Sequence, residues 1–339
     1  MCFCEKMISI VIPVCNRKNV VKTMIESVLH QEYEEWELIL VDDGSVDGTF
    51  EMLMEYEKKD NRISLFARNR LPIGAQTCRN IGLEVAKGEF IVFFDSDDYI
   101  QPYCLRQRIN NMFLYPDVDF LVFPAQEFSE IVGDRQRFWG QIVNDDVLSL
   151  FLESYIPISG WTNMYRTNSL KRKGVLWDEK LKSKQDVDFN IQNILKGLRF
   201  EYAKGSMVDY FFRVETNKGS VSKMVYTREH FDSHVYFYDK TIKSVHQMYN
   251  CKYDNELFIL GVYFIIMGHR DDMEYIRSMY NLIKGLSCFG IMNLLLSLYL
   301  LLYLKFGFDI KISKVVLLPF YIKRKAFLSW YHSRRFDCN

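Results

Sequence analysis

Short apolar runs and helically spaced apolar positions alternate through the first 125 residues. Ile8-Ser9-Ile10-Val11-Ile12 reads as a first strand, ended by Pro13 and Asn16. Val20, Val21, Met24, Ile25, Val28 and Leu29 then recur at helical spacing. Trp36 to Val41 gives a second strand, stopped by Asp42-Asp43-Gly44-Ser45, and a charged helix leads to a third run, Ile63 to Phe66. Ala75 to Ala86 is again helical, with Gly88 as the expected C-cap. Phe90 to Phe94 is apolar on both faces, as a central parallel strand requires, and Val118 to Phe123 supplies one more.

This alternation predicts an α/β, doubly wound fold on a mostly parallel sheet, where ligands bind beyond the carboxyl ends of the strands. Polar clusters fall at those ends: Asn16-Arg17 after the first strand, Asp42-Asp43 after the second, and Asp95 to Asp98 after the central one. From Trp161 to Ser222 the periodicity weakens. A helix follows from Glu229 to Tyr249, with Phe231, Val235, Tyr238, Ile242, Val245 and Tyr249 on one face.

Composition narrows the function. Lys+Arg and Asp+Glu are equal at 43 each, so nothing in the charge balance supports a nucleic-acid partner. The eight cysteines show neither a CxxC pair nor metal-ligand spacing, which predicts free thiols in a reducing compartment. No apolar signal-peptide core opens the sequence, so the catalytic part is expected in the cytoplasm. Gly285 to Leu304 is a run of 20 residues without charge, followed by eight basic residues against two acidic ones. That length and flank predict association with the inner membrane face, by a single span or an in-plane helix; the rival reading is a buried helix of the fold.

The densest chemistry is Asp95-Ser96-Asp97-Asp98. Three carboxylates crowded at the end of an apolar strand raise one another's pKa, and a hard divalent cation, Mn²⁺ or Mg²⁺, relieves the repulsion. A solvated acidic turn is the plainer alternative. In Asp42-Asp43-Gly44-Ser45-Val46-Asp47, a carboxylate can accept from a base N–H or a ribose hydroxyl. Asp43 is the ligand candidate, and Asp47 reads as a turn or cap residue.

Ile8 to Asn16, Val41 to Thr49, Arg79-Asn80-Ile81-Gly82-Leu83 and Gly88 to Asp98, in that order and spacing, resemble the successive signatures of glycosyltransferase family 2. The resemblance is strong over 7–125 and looser to 222. It implies the glycosyltransferase A fold, Rossmann-like, with a helical C-terminal extension. It divides the chain into a nucleotide-sugar-binding half (7–125), a half for acceptor and catalytic base (126–228), a helical extension (229–284) and an apolar, basic tail (285–339).

The resemblance also implies roles. Pro13, Val14, Cys15 and Asn16 line the nucleotide pocket, Cys15 standing where an aromatic is often found. Asp43 contacts the base, Arg79 lies near base and phosphates, Asp95 and Ser96 meet the donor, and Asp97 ligates the metal. Asp98 belongs either to the metal shell or to a donor-sugar contact. Asp186 is the catalytic base, with Asp188 as its rival and Gln185 in place of the usual Glu. Trp161 lies beside the acceptor, and Arg213, with Ser220 and Ser222, near the departing diphosphate.

The implied reaction moves a sugar, with inversion and a divalent metal, from a nucleotide-sugar donor, UDP-sugar foremost, to a hydroxyl of a glycan or lipid-linked acceptor in surface polysaccharide synthesis. Two alternatives stand beside it: a non-catalytic relative that binds glycans or partners, and a nucleotidyltransferase making sugar nucleotides. The latter wants a Gly-rich basic loop after the first strand, and Asn16-Arg17-Lys18-Asn19 has no glycine.

Overall fold

The computed structural model of the chain describes residues 6–140, 146–214, 227–267 and 272–287. Strands β1 (Ile8–Val14), β2 (Trp36–Asp42), β3 (Ile63–Ala67) and β4 (Phe90–Phe93) run parallel in the order β4-β1-β2-β3. All of β1 is buried because both faces of the sheet are covered. Ile8, Ile10, Ile12 and Val14 pack with helix α1 (Val21–Leu29) and with Cys104, Leu105 and Ile109 of α4 (Cys104–Leu114). Val11, between them, packs on the opposite side with Cys78 and Ile81 of α3 (Ala75–Val85). Helix α2 (Thr49–Lys59) links β2 to β3.

Beyond β4 the sheet continues with β9 (Asn163–Arg166), β6 (Phe120–Val122) and β10 (Phe200–Tyr202), for seven strands in the order β10-β6-β9-β4-β1-β2-β3. The sheet thus draws strands from both sides of residue 125. β9 is antiparallel to β4 and β6. A second sheet of four short strands stands behind the carboxyl ends: β5 (Tyr99–Ile100), β11 (Tyr210–Arg213), β7 (Ala125–Phe128) and β8 (Phe138–Trp139). The chain order reverses between β1 and β4, which opens a crevice at their carboxyl ends.

The remaining helices are α5 (Val147–Leu152), α6 (Thr167–Lys173), α7 (Gln185–Leu195), α8 (Arg228–Tyr249), α9 (Asp254–Met267) and α10 (Met273–Ile283). Phe231 and Tyr238 of α8, Leu257 and Phe264 of α9 and Tyr275 of α10 share one buried cluster with Phe93, Phe120 and Phe189 of the sheet and α7. The helical extension is therefore continuous with the core.

Gly88 does not cap α3, whose last turn closes at Ala86. It is a glycine because a Cβ there would meet the backbone N of Ser9 at 2.6 Å and the carbonyl of Met7 at 2.8 Å. Among the described residues no helix is long and apolar enough to cross a membrane. The expected membrane segment, 285–304, lies outside the described residues except for its first three.

Candidate active site

Three loops meet at the crevice. After β1, Asn16 takes a left-handed turn (φ 51°), its side-chain carbonyl accepts from Val46 N at 2.8 Å, and its own N–H donates to Ser45 Oγ at 2.9 Å. The first two polar clusters read from the sequence are thereby sewn together. Pro13 and Val14 are buried strand residues, so only their backbone can face a ligand; Cys15 and Asn16 are exposed. Asp42 turns inward to accept from the N–H groups of Gly44 and Ser45, both at 2.9 Å, and Gly44 (φ 87°) supplies the backbone this turn requires. Asp47 holds the start of α2, accepting from Thr49 N at 3.0 Å.

Asp43, just beyond the carboxyl end of β2, is buried. Arg68 Nε donates to it at 2.5 Å and Gly74 N at 3.2 Å. The thiols of Cys15 and Cys78 lie close enough for burial and the Asp43 charge to push both above the ordinary thiol range. Arg68 was missed from the sequence. It follows the carboxyl end of β3, the same kind of position that marked the acidic loops.

The loop after β4 distributes its carboxylates unequally. Asp95 accepts from Arg79 Nη2 at 2.6 Å and stays one-third exposed. Asp97 is one-fifth exposed, with Arg17 approaching at 3.6 Å, beyond hydrogen-bonding distance. Ser96 is buried between them. Asp98, expected at the metal or the sugar, is instead committed to the scaffold. One of its oxygens accepts from Tyr210 OH and the other from Arg213 N at 2.7 Å. Burial, and then the charges of Asp97 and Asp95, push the Asp98 carboxyl well up. Burial likewise pushes the Tyr210 phenol well up, keeping it a donor. Asp97 and Asp95 offer hard carboxylate oxygens on one loop, and such a donor set fits Mn²⁺ or Mg²⁺.

Arg79 connects this loop to the second half. Burial works against its charge, but Asp95 and Asp186 outweigh burial and hold the guanidinium firmly charged. It lies 4.4 Å over the ring of Trp177, whose backbone is clamped by Asn80 through two bonds of 2.9 Å. Asp186 sits in the first turn of α7, deeply set yet partly reached by solvent. Burial pushes its carboxyl up to about 6, Arg79 opposing and Asp95 reinforcing.

Its rival, Asp188, is 1% exposed and held by Lys240 at 2.8 Å on the far side of α7. Between the two aspartates, only Asp186 can meet a substrate. Gln185 donates to Gln76 at 2.8 Å and to the carbonyl of Leu181 at 3.0 Å, so it braces the segment.

Two further expected residues take supporting places. Trp161 is 8% exposed and stacks on Tyr210 (5.0 Å, 7°) and Phe212 (4.8 Å, 28°), so it fills the space behind the site instead of presenting a face to an acceptor. Arg213 is brought to the acidic loop, but as a clasp: Nε donates to the carbonyl of Asp97 at 3.0 Å and Nη1 to that of Ser129 at 3.2 Å. Ser220 and Ser222 lie outside the described residues. A wholly buried pair, Arg108 with Asp209 (2.7 and 2.9 Å), backs this arrangement, its guanidinium 5.2 Å over Phe94.

Residues 9–172 match the family model described as glycosyl transferase family 2. EpsH of Bacillus subtilis (strain 168), provisionally named a glycosyltransferase, is 41% identical over 168 residues, 48% of each chain. The poly(ribitol-phosphate) beta-glucosyltransferase of Bacillus spizizenii is 27% identical over 66% of this chain and 35% of its own. The chain spans about half the length of the curated relatives it matches.

Among solved structures, Staphylococcus aureus TarS 1–349 in complex with UDP-GlcNAc superposes with a TM-score of 0.66 at 18% identity, over 96% of this chain and 89% of that one. The mannosyltransferase PcManGT of Pyrobaculum calidifontis, in complex with GDP-Man and Mn²⁺, gives 0.53 at 14% identity, over 97% and 88%. The architecture is thus the glycosyltransferase A fold. Residues 9–172 of this chain form a domain of glycosyl transferase family 2.

Proposed function

We propose that the protein is an inverting, metal-dependent glycosyltransferase that moves a sugar from a nucleotide-sugar donor, UDP-sugar foremost, to a hydroxyl of a glycan or lipid-linked acceptor. The observation carrying this reading is the convergence of Asp95 and Asp186 on the single guanidinium of Arg79, which joins a donor-side carboxylate to an acceptor-side base. Asp43 and Asp95 bind the base and ribose of the nucleotide, with Arg68 poised on Asp43. Asp97, with Asp95, would hold a divalent cation, which supplies charge neutralisation to a leaving diphosphate.

Asp186 takes the proton of the acceptor hydroxyl. The acceptor oxygen forms its bond to the anomeric carbon as that carbon's bond to the phosphate oxygen breaks, and the nucleoside diphosphate departs from the opposite face. Arg213 keeps the Asp97 backbone in place, and Arg79 offsets the negative charge between the two halves. The name of the Bacillus spizizenii relative favours a polymeric acceptor.

The test is release of nucleoside diphosphate from a panel of UDP-, GDP- and dTDP-sugars with Mn²⁺ or Mg²⁺. Asp186→Asn should lose transfer while still binding donor, and Asp97→Asn should lose turnover while folded. Near-normal turnover by Asp97→Asn at saturating donor and metal would show that the metal is held elsewhere.

A further inference from the structure

The segment 178–188, which carries Asp186, is gripped from behind by one face of α8. Ser233, Tyr236 and Lys240 recur at three- and four-residue spacing and so share that face. Ser233 Oγ accepts from the N–H groups of Lys182 (2.9 Å) and Ser183 (3.3 Å). Tyr236 OH donates to Asp178 at 2.9 Å. Lys240 Nζ donates to Asp178 at 2.7 Å and to Asp188 at 2.8 Å.

Each carboxylate stands on the reverse of something the site uses. Asp188 is two residues from Asp186 on a helix of 3.6 residues per turn, so the two point to opposite sides of α7. Asp178 follows Trp177, the platform under Arg79. One ammonium therefore pins the backs of two segments whose fronts carry Asp186 and Arg79. The pin is not easily replaced: Asp188 is 1% exposed, and its second oxygen has no hydrogen-bond partner. Removing the ammonium would leave a buried carboxylate uncompensated. None of these α8 residues lies within the stretch that matches the family model, 9–172.

We propose that Lys240 is a positioning residue for transfer, fixing α7 against the Trp177 segment and so fixing where Asp186 meets the acceptor hydroxyl. The proposal rests on the reading of Asp186 as the base. Its expected size follows from geometry, because a misplacement of about 1 Å in a catalytic constellation can cost about 100-fold in rate.

The experiment measures kcat, acceptor KM and UDP affinity in the presence of Mn²⁺ for the full chain and three variants. Lys240→Met should bind UDP within about twofold of wild type and lose at least about tenfold in kcat. Lys240→Arg, which keeps a cation between the carboxylates, should recover most of that loss. The double variant Lys240→Met/Asp188→Asn removes the buried charge at 188, while Asp178 keeps its bonds from Tyr236 OH and Lys180 N, so it should fold even where Lys240→Met does not; it too should lose kcat while keeping UDP affinity. Wild-type kcat in any folded variant lacking the ammonium overturns the proposal. So does a parallel fall in kcat, UDP affinity and thermal stability, which would mark Lys240 as part of the scaffold only. Wild-type protein that turns over no donor would instead overturn the assignment of transfer, leaving these variants without bearing on it.

Discussion

At the scale of single residues, Asp186 is the group on which reactivity and stability pull in opposite directions. To act as the proposed base it must be ionised, and burial has pushed its carboxyl up to about 6. The rate of transfer should therefore rise with pH through about 6, about tenfold per pH unit on the acid side, and level off above. Ionising it costs the native state. An ordinary value of 3.8 raised to about 6 corresponds to roughly 3 kcal/mol. That cost is absent below 3.8, grows between 3.8 and about 6, and is full above. Asp186→Asn should accordingly melt higher than wild type at pH 8 and show no such gain near pH 3.5, and an equal melting temperature at pH 8 would contradict the raised value. Asp43, Asp95 and Asp97 could be picked out in the sequence because each follows the carboxyl end of a strand, where a doubly wound sheet binds its ligands, whereas Arg79, inside α3, came from the family resemblance. Trp161 and Asp98 were misassigned because their partners Tyr210, Phe212 and Arg213 lie on β11, far away in the chain, and nothing local records that pairing.

At the scale of elements, β1, β2 and β4 could be read because both faces of the sheet are covered there, which forces largely apolar runs, and α3 from its helical spacing. β9 could not, since Asn163-Met164-Tyr165-Arg166 is short and mixed, and its antiparallel direction follows from tertiary pairing alone. The second sheet, with strands of two to four residues, falls below the length at which alternation carries information. Gly82 shows how an element places chemistry. A Cβ there would come within 2.3 Å of Val11 Cγ1, so only glycine lets α3 settle onto β1. Arg79 lies one turn earlier on the same helix. Gly82→Ala should lift α3, destabilise the fold by about 1–3 kcal/mol and weaken donor binding by withdrawing Arg79 from Asp95. Val11→Ala makes room for the added methyl, so the two losses combined should amount to less than their sum in chemical denaturation. Strict additivity would place the strain elsewhere.

At the scale of the molecule, the apolar run from Gly285 to Leu304 follows helices that already share the buried core. Helix α9 is strongly apolar, but its 14 residues span about 21 Å, short of a hydrocarbon core of about 30 Å, and its Leu257, Leu260 and Phe264 are buried in the shared core. The last described residues are tied to the core. Leu286 packs against the core, and Ser287 N donates to Asp254 at 2.5 Å. A truncation that keeps both contacts ends after Ser287, slightly later than the apolar pattern alone would place it. Residues 288–304 carry eight leucines, and eight basic residues follow from Lys305 onward. Burying leucine side chains in lipid at about 25 cal/mol per Å² yields several kcal/mol, and each basic residue near anionic headgroups adds about 1 kcal/mol. The full chain should thus sediment with vesicles containing phosphatidylglycerol, where a lipid-linked acceptor would be presented. The chain ending at Ser287 should stay in the supernatant with its UDP affinity intact. Full-length protein recovered entirely in the supernatant would refute the membrane role. A truncated chain that precipitates would instead show that the apolar run completes the core against α9 and α10.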